Sequence, residues 1–162
     1  MQELQEVYFN LIPGLEGNLF LQLLIFFALS VIPFFEMHGA IPIGVILGAP
    51  TIPVIIVTAV GNWVSVMAFI WVISMLRSKI VKKKKKKKEP SKRAIKARRY
   101  FEKYGVPGVS LAGILLSFHV ASGASLAAGA KQKYVSLWIT VSIALWSIVI
   151  GGLLMFGINL FN

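Results

Sequence analysis

Glu36-Met37-His38-Gly39-Ala40-Ile41-Pro42-Ile43-Gly44 decides how the chain is read. Apart from Glu36 and His38, nothing from Gly17 to Leu76 can carry a charge at neutral pH. A carboxylate and an imidazole therefore sit inside a long stretch that reads as membrane. Ionisable groups at membrane depth are costly, face a protein or water-lined interior, and mark function by default. Gly39 and Pro42 follow at once and are expected to interrupt the helix arriving from the N-terminal side. Broken backbone in a bilayer is tolerated only where protein buries it or it lines a cavity. The stretch is thus expected to be the tip of a re-entrant hairpin and half of a transport-type site.

Composition agrees. The 162 residues are 57% hydrophobic, with a mean hydropathy of +0.77, which is a membrane composition. The length allows one compact membrane domain. There is no cysteine, so disulfides and thiolate metal sites are excluded. The formal charge of +11 is local, because 15 of the 17 Lys and Arg lie between Arg77 and Lys103. It is a topology signal first and does not point to a nucleic-acid partner. No cleavable signal peptide is expected, since Glu3 and Glu6 stand where a basic region would.

Residues 3–12 place Leu4, Val7, Tyr8 and Leu11 on one helical face, as in an interfacial amphipathic helix, ended by Pro13-Gly14. Leu19–Phe35 is apolar apart from Gln22 and Ser30. As helix it reaches roughly 26 Å, short of a full crossing. The return arm Ala40–Ala49 is shorter still, with Gly44 and Gly48 in a small-xxx-small spacing. Ile52–Leu76 is then a transmembrane helix, and its Asn62 is read as interhelical polar glue. The run Lys82, Lys83, Lys84, Lys85, Lys86, Lys87 and Lys88 is expected to be solvated. Beyond it, Ala94, Ala97, Phe101 and Tyr104 share a face among Arg98, Arg99 and other cations, a basic amphipathic helix suited to anionic lipid. The second half has two short arms, Val109–Ser117 and Ser122–Ala130, around Ser117-Phe118-His119. A second span, Tyr134–Ile158, follows.

The halves share a plan of amphipathic segment, Pro-Gly, apolar arm, polar break, small-residue arm and span. A shift of 81 residues lays Gly48-Ala49 on Gly129-Ala130 and Pro53-Val54 on Tyr134-Val135. The divisions are 1–76, a first hairpin-plus-span repeat; 77–99, a basic linker with the amphipathic helix; and 100–162, a second hairpin-plus-span repeat. The positive-inside rule puts loop 77–103, Lys131 and Lys133 in the cytoplasm. The glutamates before Arg77 favour an external N-terminus, so the hairpins enter from opposite sides. The expected fold is all-α integral membrane: an inverted repeat of re-entrant helical hairpin plus transmembrane helix, with amphipathic interfacial helices. If Leu19–Phe35 spans instead, there are three spans and a cytoplasmic N-terminus.

Glu36-x-His38-Gly39-Ala40-Ile41-Pro42-Ile43-Gly44, with Gly48-x-Pro50 and Gly61-Asn62 after it, resembles the signature of the small multidrug export proteins over nearly the whole chain. The second half, from Tyr104-Gly105 through Gly129, is similar to the DedA superfamily of paired re-entrant membrane proteins. These resemblances imply a multi-pass protein of a prokaryotic cytoplasmic membrane that moves an amphiphile. Some members of that superfamily move undecaprenyl phosphate, and eukaryotic relatives scramble phospholipids. Two departures stand out. His38 occupies a position where the family often has arginine, and His119, beside Ser117 and Ser122, stands where DedA proteins carry tip arginines.

The expected function is transport of an amphiphile, a lipid carrier such as polyprenyl phosphate or a phospholipid, coupled to protons through Glu36. Export of small organic compounds and a non-transporting membrane scaffold are the alternatives. Glu36, His38 and His119 are the proton-coupling and substrate candidates. Gly39, Ala40, Pro42, Gly44, Gly48, Asn62, Ser117, Ser122 and Gly123 are expected at the tips and packing surfaces. Half-helices starting near Ala40 and Gly123 would aim free N–H groups at a tip cavity. Glu36 paired permanently with His38 or with the opposite hairpin, and only locking the fold, is the bland alternative. Two histidines and a glutamate without helical ligand spacing do not make a metal site, and no nucleophile with its base stands out for an enzyme. No cofactor is expected. Lipids and protons are the expected partners, together with a second copy of the chain through Gly151, Gly152 and Gly157, since two spans and two hairpins bury little surface.

Overall fold

The computed structural model describes residues 6–7, 10, 14–15, 17–81 and 104–161. The lysine run 82–88, Arg98, Arg99 and most of the helix expected over residues 3–12 lie outside them. Among the described residues the helices follow in the order α1 (Leu19–Val31), α2 (Glu36–Ile46), α3 (Thr51–Val81), α4 (Gly113–Leu116), α5 (Phe118–Ala127) and α6 (Gln132–Phe161). Residues 104–111 are helical too, and no strand occurs among the described residues. Thr51–Arg77 of α3 and Gln132–Gly157 of α6 are long and apolar enough to cross a membrane. α1, α2 and α5 have 13, 11 and 10 residues, roughly 20, 17 and 15 Å, each short of a core about 30 Å thick.

The distribution of polarity is that of a membrane protein. Glu36, Thr58, Asn62, Ser110, Ser122, Ser125 and Ser142 are completely buried, while Ile52, Ile56, Trp71, Ile148 and Leu153 are more than half exposed. Burial on α3 recurs at Val54, Thr58, Asn62, Val66 and Ile70, one helical turn apart. On α6 it recurs at Val135, Ile139, Ile143, Ser147 and Gly151, the same positions shifted by 81 residues.

Local geometry repeats at that shift as well. At the end of α2, Gly48 takes φ +84°, its N–H donates to Val45 O at 3.0 Å, and Ala49 N–H donates to Gly44 O at 3.0 Å. At the end of α5, Gly129 takes φ +106°, donating to Leu126 O at 3.0 Å, and Ala130 donates to Ser125 O at 3.1 Å. Both are glycine C-caps, which place a residue without Cβ in the left-handed region to satisfy terminal carbonyls.

The chain forms two compact units, residues 1–65 with 143–162, and residues 66–142. In the first, α1 packs along α2. Asn18 Oδ1 caps α1 by accepting Leu21 N–H at 3.1 Å. Phe26, Ala49 and Val54 form a core with Leu23, Leu29 and Leu47 against it. Small residues set the close approaches: a methyl group on Gly44 would lie 2.7 Å from Val54 Cγ1, and one on Gly61 would meet Ser30 Oγ and lie 2.9 Å from Phe27 O. Ser65 Oγ donates to Val31 O at 2.8 Å, tying the end of α1 to α3. Gly151 is already occupied by Ile55 of its own unit, whereas Gly152 and Gly157 have open space. In the second unit α4 packs on α5, with Phe118 against Gly113.

The helix break differs from the expectation. It lies at residues 32–35, and α2 runs unbroken from Glu36 through Gly39 and Pro42. Pro33 ends the regular hydrogen bonding early, and the single bond that Pro42 removes does not stop α2. Likewise α5 starts at Phe118 and contains Gly123, and the preceding arm is itself divided at Ala112.

Replacing Gly61 with alanine should destabilise the protein by about 1–3 kcal/mol, because the backbone carbonyl of Phe27 cannot give way cheaply. Gly152→Ala, whose new methyl meets nothing within 4 Å, should leave the thermal midpoint in detergent unchanged or slightly raised.

Candidate functional site

The turn between α1 and α2 builds the first site. Ile32 is extended, and Phe34 and Glu36 take φ +70° and +50°. The N–H groups of Phe35 and Glu36 both donate to Ile32 O, at 3.2 and 2.9 Å. A non-glycine residue at positive φ costs of order 1–3 kcal/mol and persists only where the surroundings enforce it. The strain sets the first residue of α2 so that the Glu36 side chain points inward, where none of it is exposed.

His38 Nδ1 stands 3.8 Å from Glu36 Oε2, and the two form an ion pair only when the imidazole is protonated. The separation exceeds hydrogen-bonding reach. Nδ1 is buried without a hydrogen bond, although the His38 side chain is 28% exposed. The imidazole therefore runs from a buried carboxylate to the surface. One turn into α2, Gly39 accommodates the Phe35 ring, which a methyl there would approach to 3.1 Å. Ala40 and Gly44 are buried on the same helix, and Pro42 lies within it.

Asn62 is fully buried on α3, and neither Oδ1 nor Nδ2 has a hydrogen-bond partner. Its neighbour on the stripe behaves otherwise: Thr58 Oγ1 donates to Val54 O at 2.7 Å, within its own helix. An unsatisfied buried amide costs about 1–3 kcal/mol. The polar-glue role expected for Asn62 thus has no bond behind it among the described residues.

The second break lies in the other unit. Ser117 takes φ +81° and is almost wholly buried. The shift of 81 residues that relates the glycine caps also relates Glu36 to Ser117 and His38 to His119. His119 is buried, its ring meeting the Phe69 edge with centroids 5.3 Å apart. Ser122 Oγ donates to His119 O at 2.9 Å, and Gly123 lies below Phe69 at 3.5 Å from a would-be methyl. Arg77 donates through Nη1 to Leu126 O at 2.7 Å. A cation on the last carbonyls of a helix is favourable for the dipole and for the charged hydrogen bond.

The structure therefore gathers the expected residues into two sets. Glu36 and His38 form one, with Gly39, Ala40 and Gly44 on the same helix. Ser117, His119, Ser122 and Gly123 form the other. Three features carry no expectation from sequence: the positive φ at Phe34, Glu36 and Ser117; Phe69 over His119; and Arg77 as a helix cap. Arg77 has a legible signal in hindsight, as the first cation after an uncharged helix. Among the described residues no three His, Asp or Glu groups converge as metal ligands would. A groove of about 420 Å³ lined by Tyr104, Gly108, Val109, Ala112 and Leu116 is apolar and holds none of the expected site residues.

A family model described as "Putative small multi-drug export protein" matches residues 36–149, beginning at Glu36 and covering more than half of the chain. No curated protein and no solved structure matches the chain.

Arg77→Gln should loosen the C-terminal end of α5, since a charged hydrogen bond contributes about 1.5–3 kcal/mol. Hydrogen exchange of the amides at residues 126–130 should accelerate at least tenfold, while those of α1 stay protected.

Proposed function

The chain belongs to the small multi-drug export protein family, and on that footing we propose that it is a small membrane exporter of amphiphilic compounds, with Glu36 as the group that exchanges protons. The observation that carries this is a fully buried carboxylate held on a strained turn. The His38 contact at 3.8 Å depends on protonation, so the pair changes state when a proton arrives.

The proposed architecture is an inverted repeat of two re-entrant hairpins, the plan shared with the DedA superfamily. Two contacts support it, one in each unit. Ser65, which holds the end of α1, lies near the middle of the Thr51–Arg77 span, so the Glu36 turn would lie deep in the bilayer. In the other unit the end of α5 is capped by Arg77, the first residue of the basic stretch. His119 meets Phe69, eight residues or about 12 Å back along α3, which would put its turn deep as well. The charge rule then gives a cytoplasmic loop 77–103 in a prokaryotic plasma membrane.

Between the substrate classes, the described residues favour organic compounds over polyprenyl phosphate. No Lys or Arg occurs in residues 1–65, so that stretch itself supplies no fixed cation for a phosphate. A scaffold role for the basic stretch remains the rival.

In proteoliposomes with an imposed pH gradient, wild-type protein should drive export, and Glu36→Gln should abolish its dependence on the gradient while folding normally. Wild-type rates in Glu36→Gln would remove Glu36 from coupling. Deleting residues 82–88 should reduce the rate by no more than severalfold; complete loss of function there, with Glu36→Gln active, would favour the scaffold.

A further inference from the structure

Glu36 and His38 stand two residues apart on α2, a spacing that does not bring side chains together on a regular helix. Successive residues turn about 100° round the axis, so such a pair points to nearly opposite sides. Here His38 Nδ1 nevertheless stands 3.8 Å from Glu36 Oε2. The departure from helical geometry lies at Glu36, whose φ of +50° redirects its side chain. Backbone strain of this kind is costly and collects at working sites. In this turn it sets a carboxylate and an imidazole facing each other.

The two partners differ in their access to the surface. Glu36 is wholly buried, so a proton reaches it only through a group that touches it. The His38 side chain is 28% exposed, yet its Nδ1 is buried and makes no hydrogen bond. The exposure therefore falls on the rest of the side chain, which carries Nε2. Imidazole has a nitrogen on each side of its ring and can take a proton at one while giving a proton from the other. No other side chain in residues 17–65 or 143–161 ionises at neutral pH. The separation of 3.8 Å is about 1 Å longer than a hydrogen bond, a gap that side-chain rotation closes on the ps–ns scale.

We propose that His38 is the proton relay between the protein surface and Glu36, and that the strained turn exists to hold the relay in line with the carboxylate. In delivery, the ring starts with its proton on Nδ1. Nε2 takes a proton from water, the Nδ1–H bond breaks and leaves its electron pair on Nδ1, and that proton bonds to Glu36 Oε2. The products are a neutral carboxyl and a neutral ring protonated at Nε2. Release runs the same steps backwards and restores the first tautomer. The assignment rests on the reading of Glu36 as the group that exchanges protons, and it names the route of the proton.

The test follows protonation of Glu36 itself in the purified full-length protein in detergent. Its carboxyl C=O stretch is the infrared band lost in Glu36→Gln, and its rise is timed after a flash releases protons from a photolabile cage. His38→Ala and His38→Gln should each slow that rise at least tenfold, while the band still reaches full height at low pH. Added imidazole, which fits the space left by His38→Ala, should bring that variant at least halfway back to the wild-type rate and should not speed His38→Gln. A wild-type rate in either variant overturns the relay. So does a slowed His38→Ala that imidazole does not speed, since the side chain would then serve packing alone. If His38→Ala does not fold, the rate in His38→Gln decides. Relayed protonation of Glu36 without gradient-driven export in proteoliposomes would overturn the export reading and leave the relay standing. Gradient-driven export with unslowed His38 variants would do the reverse, and a wild-type band that ignores acid would overturn both.

Discussion

A polypeptide that reverses inside a hydrocarbon layer has no water to satisfy its N–H and C=O groups, so every turn must find its partners within the protein. In the re-entrant architecture proposed above, the two breaks in this chain are built under that constraint. At the first, the single carbonyl of Ile32 accepts from both Phe35 and Glu36, and Val31 O accepts the Ser65 hydroxyl. At the second, Ala112 O accepts from Leu115 and Leu116, and Ser117 O receives Ala121 N–H. Closing these turns so tightly is what drives Phe34, Glu36 and Ser117 to positive φ. In each half a strained residue, Glu36 or Ser117, also begins the polar site.

The rest of the packing serves those turns. Side-chain hydrogen bonds to carbonyls fasten each hairpin to α3, from Ser65 in one unit and from Arg77 in the other. Glycines admit the close contacts that these bonds require, at Gly44 and Gly61 against α1 and its neighbours and at Gly123 beneath Phe69. Without a hydrophobic driving force between helices, such small-residue seats supply most of the attraction in a bilayer. Isoleucine, leucine and tryptophan are left on the outer surface and the hydroxyls and the carboxylate are kept within.

Much of this was legible from residue order alone. The two long helices were, because 25 uncharged and mostly apolar residues in a row suit a membrane-crossing helix, and α3 and α6 overrun these stretches by only a few residues. The polar pair Glu36 and His38 was legible because nothing else in its stretch ionises. The place of the break was not: Gly39 and Pro42 are the stronger local breakers, yet the turn forms ahead of them, since positive φ at Phe34 and Glu36 comes from tertiary closure and has no residue signature. The 81-residue relation was visible at the glycine caps, where both halves need the same residue type. It was hidden at Glu36 and Ser117, whose side chains differ although both backbones take positive φ. Arg77 was read as one charge among fifteen, and its hydrogen bond to Leu126 gives it a separate role.

The depth of the Glu36 turn in the bilayer is the claim on which export through it depends. The chain has no cysteine, so single cysteines can be placed at will and spin-labelled. Phe34, Val64 and Ile52 are all well exposed positions that tolerate a label. In reconstituted bilayers, accessibility to oxygen against a water-soluble nickel complex reads depth directly. The predicted result puts residue 34 within a few ångström of residue 64, near the bilayer centre, and far from residue 52, which lies about 18 Å further along α3. A label at residue 34 that reports the same headgroup depth as residue 52 would contradict the account.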